Sequence, residues 1–279
     1  MRTRVLAVFL AAFCIAAARA GGAAPTAAPE DALSLESSAP DILAACRAML
    51  PAKPVEIKGR LTRRNRKGIV SREHSFAIYM DRTAVPAKIS AEIVPADGSE
   101  PLRVEVSRPD GGCASVEILR ADGSRERPEM SGDVPGTDVS WLDLTLDFLW
   151  WTDASFEAER TGETVHGQEC LVILAKPPSP YGGVGAVRLW VDRKTGCMMQ
   201  AEQLAADGAG GWKSVRRLWG TRLKKFPGHE TVNGVRVETK RWMASAIEVQ
   251  KTGGIHRTKI SIEEIDDEPG PAVREAARR

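Results

Sequence analysis

The 279-residue sequence has little of what usually announces a function. Its four histidines, His74, His166, His229 and His256, are scattered, with no H-E-x-x-H and no closely spaced His/carboxylate pair, so nothing points to a metal site. It has no G-x-S-x-G elbow, no phosphate-binding loop and no dinucleotide fingerprint; its glycine clusters sit in hairpin turns with no helix behind them. No catalytic residue, cofactor or metal is therefore predicted. Strands do not alternate with helices, which excludes a parallel sheet built from βαβ units. Beyond residue 20 no apolar run is long enough to span a bilayer as a helix. Charge of one sign is missing too. Three of the 39 basic residues, Arg2, Arg4 and Arg19, lie in the leading segment, and without them 36 basic residues face 37 acidic ones. That balance gives no reason to expect nucleic acid as a partner.

Cysteine is sparse. Past the leading segment the chain holds Cys46, Cys113, Cys170 and Cys197, in no metal-site spacing. An even number in an oxidising compartment permits disulfides. Cys170 and Cys197 fall on strands flanking the strand Ala186–Asp192, both near the level of Val191. Two strand spacings is roughly 10 Å, beyond disulfide reach. Cys46–Cys113 pairing and buried free thiols remain open.

What is present begins with M-R-T-R-V-L-A-V-F-L-A-A-F-C-I-A-A-A-R-A: two arginines, a short apolar run and a small-x-small ending. This reads as a secretory signal peptide over residues 1–20, cleaved after Ala20, with bulky Phe13 arguing against lipid modification at Cys14. Residues 21–38, rich in Ala, Gly, Pro and Ser, read as a flexible leader, and the polar residues 267–279 as a disordered tail. Between them, 39–266 reads as one domain.

That domain opens with a short helix, D-I-L-A-A-C-R-A-M-L, capped by Asp41 and stopped by Pro51. Alternation then predicts strands from Val55, over Ser75–Met80, Ala87–Val94, Leu102–Val106 and Ala114–Leu119, punctuated by Pro/Asp/Gly turns. The turn Arg63–Lys67 reads as a solvated basic tip, with contact to acidic lipid headgroups or an acidic partner as its sharper reading. A second run of strands is predicted over Phe156–Arg160, Gly167–Ala175, Ala186–Asp192, Cys197–Ala206 and Trp212–Lys224. Pro227-Gly228-His229 marks a break before Gly234–Ala244 and His256–Ile265. The fold class is mainly β (α+β): a curved antiparallel sheet or partly open barrel with two or three helices.

Between the two strand runs lies D-V-S-W-L-D-L-T-L-D-F-L-W-W, residues 138–151. Its apolar residues recur at helical spacing, and Ser140 with Asp143 forms a capping-box-like start. Asp143 reads as a capping residue and Asp147 as a solvated position. A helix this apolar has to lie against the sheet. It either seals the core or lids an apolar cavity. The seven tryptophans, against two tyrosines, fit both readings, since Trp190 and Trp242 fall opposite in phase to their strands' aliphatic residues.

Several stretches carry a resemblance: V-E-I-K-G-R-L, D-V-S-W-L-D-L at a helix start, G-E-T-V-H-G-Q-E-C-L-V-I-L-A-K-P, V-R-L-W-V-D-R-K-T-G-C-M-M-Q and V-N-G-V-R-V-E. In this order they resemble the LolA-like outer-membrane lipoprotein-sorting proteins, over roughly Asp41 to Ile265 and best from Asp138 to Ala206. The resemblance implies an open half-barrel with a helical lid and an apolar cavity between them. It further implies a periplasmic, non-enzymatic carrier of an acylated lipoprotein or lipid, monomeric, with an envelope protein as a further partner. By alternation the cavity would be lined by Trp141, Leu144 and Phe148 from the helix, and by Leu61, Ile78, Val187, Leu189, Val237 and Ile260 from the strands. The competing expectation is an envelope interaction module whose half-barrel is packed with its own side chains.

Overall fold

The computed structural model describes residues 37–51, 53–83, 87–109, 113–179, 181–232, 235–270 and 273, with the backbone alone at 223 and across 228–243. The expected signal peptide, most of the leader and most of the tail lie outside the described residues.

Helix α1 (Ala39–Ala48) begins at Ser38, whose hydroxyl accepts from the amide of Asp41 while the Asp41 carboxylate accepts back from Ser38. The expected cap is thus one turn out: Asp41 occupies the third helical position of a capping box and Ser38 is the cap. Ile42, Leu43 and Cys46 are buried on the face turned inward.

The strands form two meanders. The first is β1 (Val55–Asn65), β2 (Val70–Asp81), β3 (Ala87–Pro95), β4 (Leu102–Arg108), β5 (Ser115–Leu119) and β6 (Arg125–Glu126). The second is β7 (Asp153–Phe156), β8 (Thr164–Val165), β9 (Gln168–Lys176), β10 (Ala186–Asp192), β11 (Met198–Ala206), β12 (Trp212–Val232), β13 (Val235–Lys251) and β14 (His256–Asp266). First and last strands meet, β1 pairing antiparallel with β14, so both meanders join in one 14-stranded sheet. Its order is β6-β5-β4-β3-β2-β1-β14-β13-β12-β11-β10-β9-β7, with β8 folded onto β9. The sheet does not close: it is a curved, open antiparallel half-barrel with a small helical part.

Three local features depart from the sequence reading. Of the expected strand Phe156–Arg160 only Phe156 is strand, as the last residue of β7, and Ala158–Arg160 is a 3-10 turn. Pairing runs straight through Pro227, opposite Lys240, where a break was expected. The ladder to β11 stops at Trp219, so Pro227 lies on a stretch of β12 with no neighbour on that side, and its missing N–H costs no ladder bond. Gly59, which alternation with Ile57 and Leu61 would make an ordinary inward position of β1, marks a bulge between Lys58 and Gly59. A Cβ there would stand 2.0 Å from the Ser261 carbonyl oxygen and 2.6 Å from the Phe76 ring.

The main core lies between the sheet and the two helical segments. A smaller cluster of Cys170, Val172, Trp190, Cys197 and Met199, with Met49 and Val165 packed on it, covers part of the other face. This is why β10 is buried at every position, as both faces of a doubly covered strand must be.

The candidate site beneath the helical cover

Helix α2 (Trp141–Thr145) starts on the expected capping box: the Ser140 hydroxyl accepts from the Asp143 amide at 3.0 Å, and the Asp143 carboxylate accepts the Ser140 amide at 2.9 Å. It stops after five residues. Leu146 adopts a left-handed conformation, φ 48° and ψ 33°, and a 3-10 turn, Asp147–Trp150, follows. The continuous helix expected over this stretch is therefore broken at its middle. An aliphatic residue in that region costs about 1–2 kcal/mol, so the surroundings must over-determine it.

Three aspartates on this segment, each tied to a different part of the sheet, do so. Asp138 receives Arg63 of β1 at 3.2 Å and the Thr258 hydroxyl of β14 at 3.1 Å. Asp143 receives the Gln203 amide of β11 at 2.8 Å and Arg216 of β12 at 3.5 Å. Asp147 pairs with Arg108 of β4 and accepts the Ala114 amide at 2.8 Å, the Tyr181 hydroxyl at 2.5 Å and the Trp151 indole N–H at 3.3 Å. The reading of Asp147 as solvated is wrong: it is fully buried, and Asp143 nearly so. The break at Leu146 swings Asp147 out of helical phase with Asp143, so the two carboxylates meet different strands. Arg108 also lies over the Trp150 ring, 3.7 Å from its centroid, and α1 adds a hydrogen bond from Arg47 to the Leu149 carbonyl. Burial lowers the pKa of the Arg108 guanidinium and Asp147 opposes that; burial and the bond to Asp147 push the Tyr181 phenol up. The sequence held no signal for these pairings, because Arg108 lies 39 positions from Asp147 and Gln203 lies 60 from Asp143.

Beneath this cover lie most of the residues assigned to a cavity. Leu61, Ile78, Trp141, Leu144, Phe148, Val187, Leu189 and Ile260 all belong to the one main core cluster. Phe148, Val187 and Leu189 are 0 % exposed and Ile260 1 %. Val237 stands opposite Glu230 on the β12–β13 hairpin, and its side chain is outside the described residues.

The polar edges of the site are ordered rather than reactive. His74 on β2 is buried next to Gly136, which leads into α2, and its imidazole pKa is lowered, chiefly by burial. Among the described residues Cys46, Cys113, Cys170 and Cys197 form no disulfide. Burial pushes the Cys46 thiol up to about 12 and the Cys170 thiol to about 11, the opposite of a reactive cysteine. Among the described residues no group of three or more His, Cys, Asp and Glu could hold a metal ion, and no helix is long and apolar enough to cross a membrane. At the basic turn, Arg63 and Arg64 fold back onto Asp138 and Glu248 while Arg66 and Lys67 stay exposed. Beside them Ile69, Val70 and, at the neighbouring β13–β14 turn, Ile255 are exposed by 52–61 %.

No known sequence family and no curated protein matches the chain. Solved structures do. A DUF1329 family protein from Desulfovibrio piger superposes with a TM-score of 0.60 at 16 % identity, over 81 % of this chain and 90 % of its own. A domain named for outer membrane lipoprotein sorting from Vibrio parahaemolyticus gives 0.60 at 13 %, over 81 % and 92 %. A LolA superfamily protein from Nitrosomonas europaea gives 0.58 at 11 %, over 84 % and 96 %. At such identities the likeness is one of fold alone.

Proposed function

We propose that the protein is a periplasmic, non-enzymatic carrier that takes the acyl chains of a lipid-modified protein or lipid between its half-barrel and its helical cover. The observation that carries this reading is the cover itself: a five-residue helix and a 3-10 turn, apolar underneath, laid across the inner face of an open sheet. Besides the apolar packing of Trp141, Leu144 and Phe148, which acyl chains would replace, it is attached by ion pairs and hydrogen bonds whose groups water can re-solvate when the segment lifts. The apolar positions Leu61, Ile78, Leu144, Phe148, Val187, Leu189, Val237 and Ile260 would then line the cavity. The exposed isoleucines beside Arg66 and Lys67 give such a carrier an apolar, basic tip with which to meet an anionic lipid surface. Likeness in fold to a domain named for lipoprotein sorting agrees with the reading; because function does not follow from fold alone, the cover and not the likeness carries it.

A second reading has its own observation. Phe148, Val187 and Leu189 leave no surface for a water-sized probe, as in a core filled by its own side chains. The protein would then be an envelope interaction module. Native mass spectrometry of the mature protein from a periplasmic extract, before and after lipid extraction, separates the two. A lipid or lipopeptide adduct lost on extraction supports carriage. A bare protein whose tryptophan fluorescence no acyl probe quenches supports the packed module.

A further inference from the structure

On the face of the sheet away from the helical cover lies a second concavity of about 640 Å³, within the usual range of small-ligand sites. Its floor spans three adjacent strands: Gln200 of β11 stands opposite Trp219 of β12, and Arg217 of β12 opposite Gln250 of β13. One wall is the β8–β9 hairpin at His166; the other is the β13–β14 turn at Thr252–Gly254, with Arg66 at the rim. No carboxylate lines it. Arg217 is the exposed partner of a pair whose carboxylate, Glu202, is buried. Arg66, the Trp219 indole N–H and the Gln200 amide have no protein partner among the described residues.

The wall at His166 is held in an unusual conformation. His166 and Gly167 have φ of 51° and 76°, consecutive left-handed residues in the two-residue turn between Val165 and Gln168. Such a turn favours Asn or Gly at its first position, and a histidine there is uncommon. This backbone brings the imidazole to the Gly220 carbonyl, with Nε2 at 2.9 Å. A carbonyl only accepts, so Nε2 carries the proton and Nδ1 is the free ring nitrogen.

We propose that this groove binds an anionic saccharide. A half-buried indole offers a flat apolar plate to the C–H face of a sugar ring, and two planar amides match neighbouring hydroxyls. Arg66, which no carboxylate opposes among the described residues, and Arg217, exposed and drawing on a carboxylate, Glu202, that Arg188 shares, select an acidic group. An acyl chain would find too little apolar lining here, so this site is separate from the one beneath the cover.

Titration calorimetry of the mature protein tests it, with trigalacturonate and an N-acetylmuramic acid disaccharide as probes and neutral chitotriose as control. Heat from an acidic probe, falling about tenfold or more in Trp219→Ala and in Gln200→Ala, with chitotriose at least about tenfold weaker, is the expected result. Circular dichroism checks that each variant folds, and Gln200→Ala decides the matter if Trp219→Ala does not. Heat from neither acidic probe overturns the proposal. So does equal binding of chitotriose, or affinity indifferent to the folded variants.

Discussion

The two faces of the sheet hold comparable sets of polar side chains and use them in opposite ways. On the inner face Arg108, Gln203, Arg216, Tyr181 and Thr258 are all committed to three aspartates of the helical cover. On the outer face Gln200, Trp219 and Arg66 line a groove, and their side-chain polar groups have no protein partner among the described residues. A buried polar group without a partner is costly, so polar groups beneath the cover have to be used up in positioning it. At the surface water satisfies the same groups without a structural role, and they stay free to exchange water for a ligand. Spent and unspent polar groups therefore distinguish architecture from recognition within one sheet.

The sharpest way to break this contrast is at Asp147. Replacing it with alanine strands Arg108, Tyr181 and the Ala114 amide in the core, and breaking a buried pair costs about 3–5 kcal/mol. Urea denaturation should show that loss, with part of it recovered when Arg108→Met removes the unpaired charge as well. A loss below about 1 kcal/mol would mean that the carboxylate does not hold the cover down. Ser140→Ala removes the cap of α2 and an acceptor for Gln203, and should lower stability by about 1 kcal/mol in the same assay.

His74 gives a smaller, pH-dependent effect. Its folded pKa lies below the ordinary imidazole value, so between the two the unfolded chain binds more protons. Stability is then full above about pH 6.5, the unfolded imidazole value, and falls as the pH drops towards the folded one. Thermal midpoints at pH 7.5 and pH 5 should diverge more in the native protein than in His74→Gln. Equal divergence would assign the pH dependence to other groups.

Opposite the inner-face variants stand the outer ones. Gln200→Ala and Arg66→Ala should leave the denaturation midpoint unchanged within about 0.5 kcal/mol, as surface substitutions usually do. Ile69→Ser with Ile255→Ser should also leave stability alone, while reducing co-sedimentation with vesicles containing phosphatidylglycerol. Undiminished co-sedimentation would remove the apolar tip from the carrier reading.

Much of the architecture was legible along the chain. Alternation from Val55 to Leu61 follows from an apolar core on one side, and large apolar groups in both phases of Ala186–Asp192 follow from cover on both sides; β1 and β10 lie where these patterns place them. The S-x-x-D start at Ser140 was equally readable, because a capping box is local. The register argument that separates Cys170 from Cys197 agrees with the structure: both align with Asp192, on opposite sides of β10, and the two form no disulfide. Where the reading failed, the deciding partner was remote. Spacing made Asp147 a solvated helical position, and only Arg108, Tyr181 and Ala114 make it a buried anchor that bends the chain at Leu146. Pro227 looked like a terminator, and the ladder to β13 continues through it where β12 has run past the end of β11 at Trp219.

Amino-acid order alone thus determined most of the strands, the start of the cover and the open antiparallel class of the fold. These rest on contacts within a few residues and on the two-residue period of a strand. Tertiary structure alone decided where the cover breaks, which carboxylates tie it to the sheet, and that an indole, two amides and two arginines share one groove on the far face. Each of those depends on residues brought together by strand order, and a pairing between distant positions leaves no period in the sequence from which to read it.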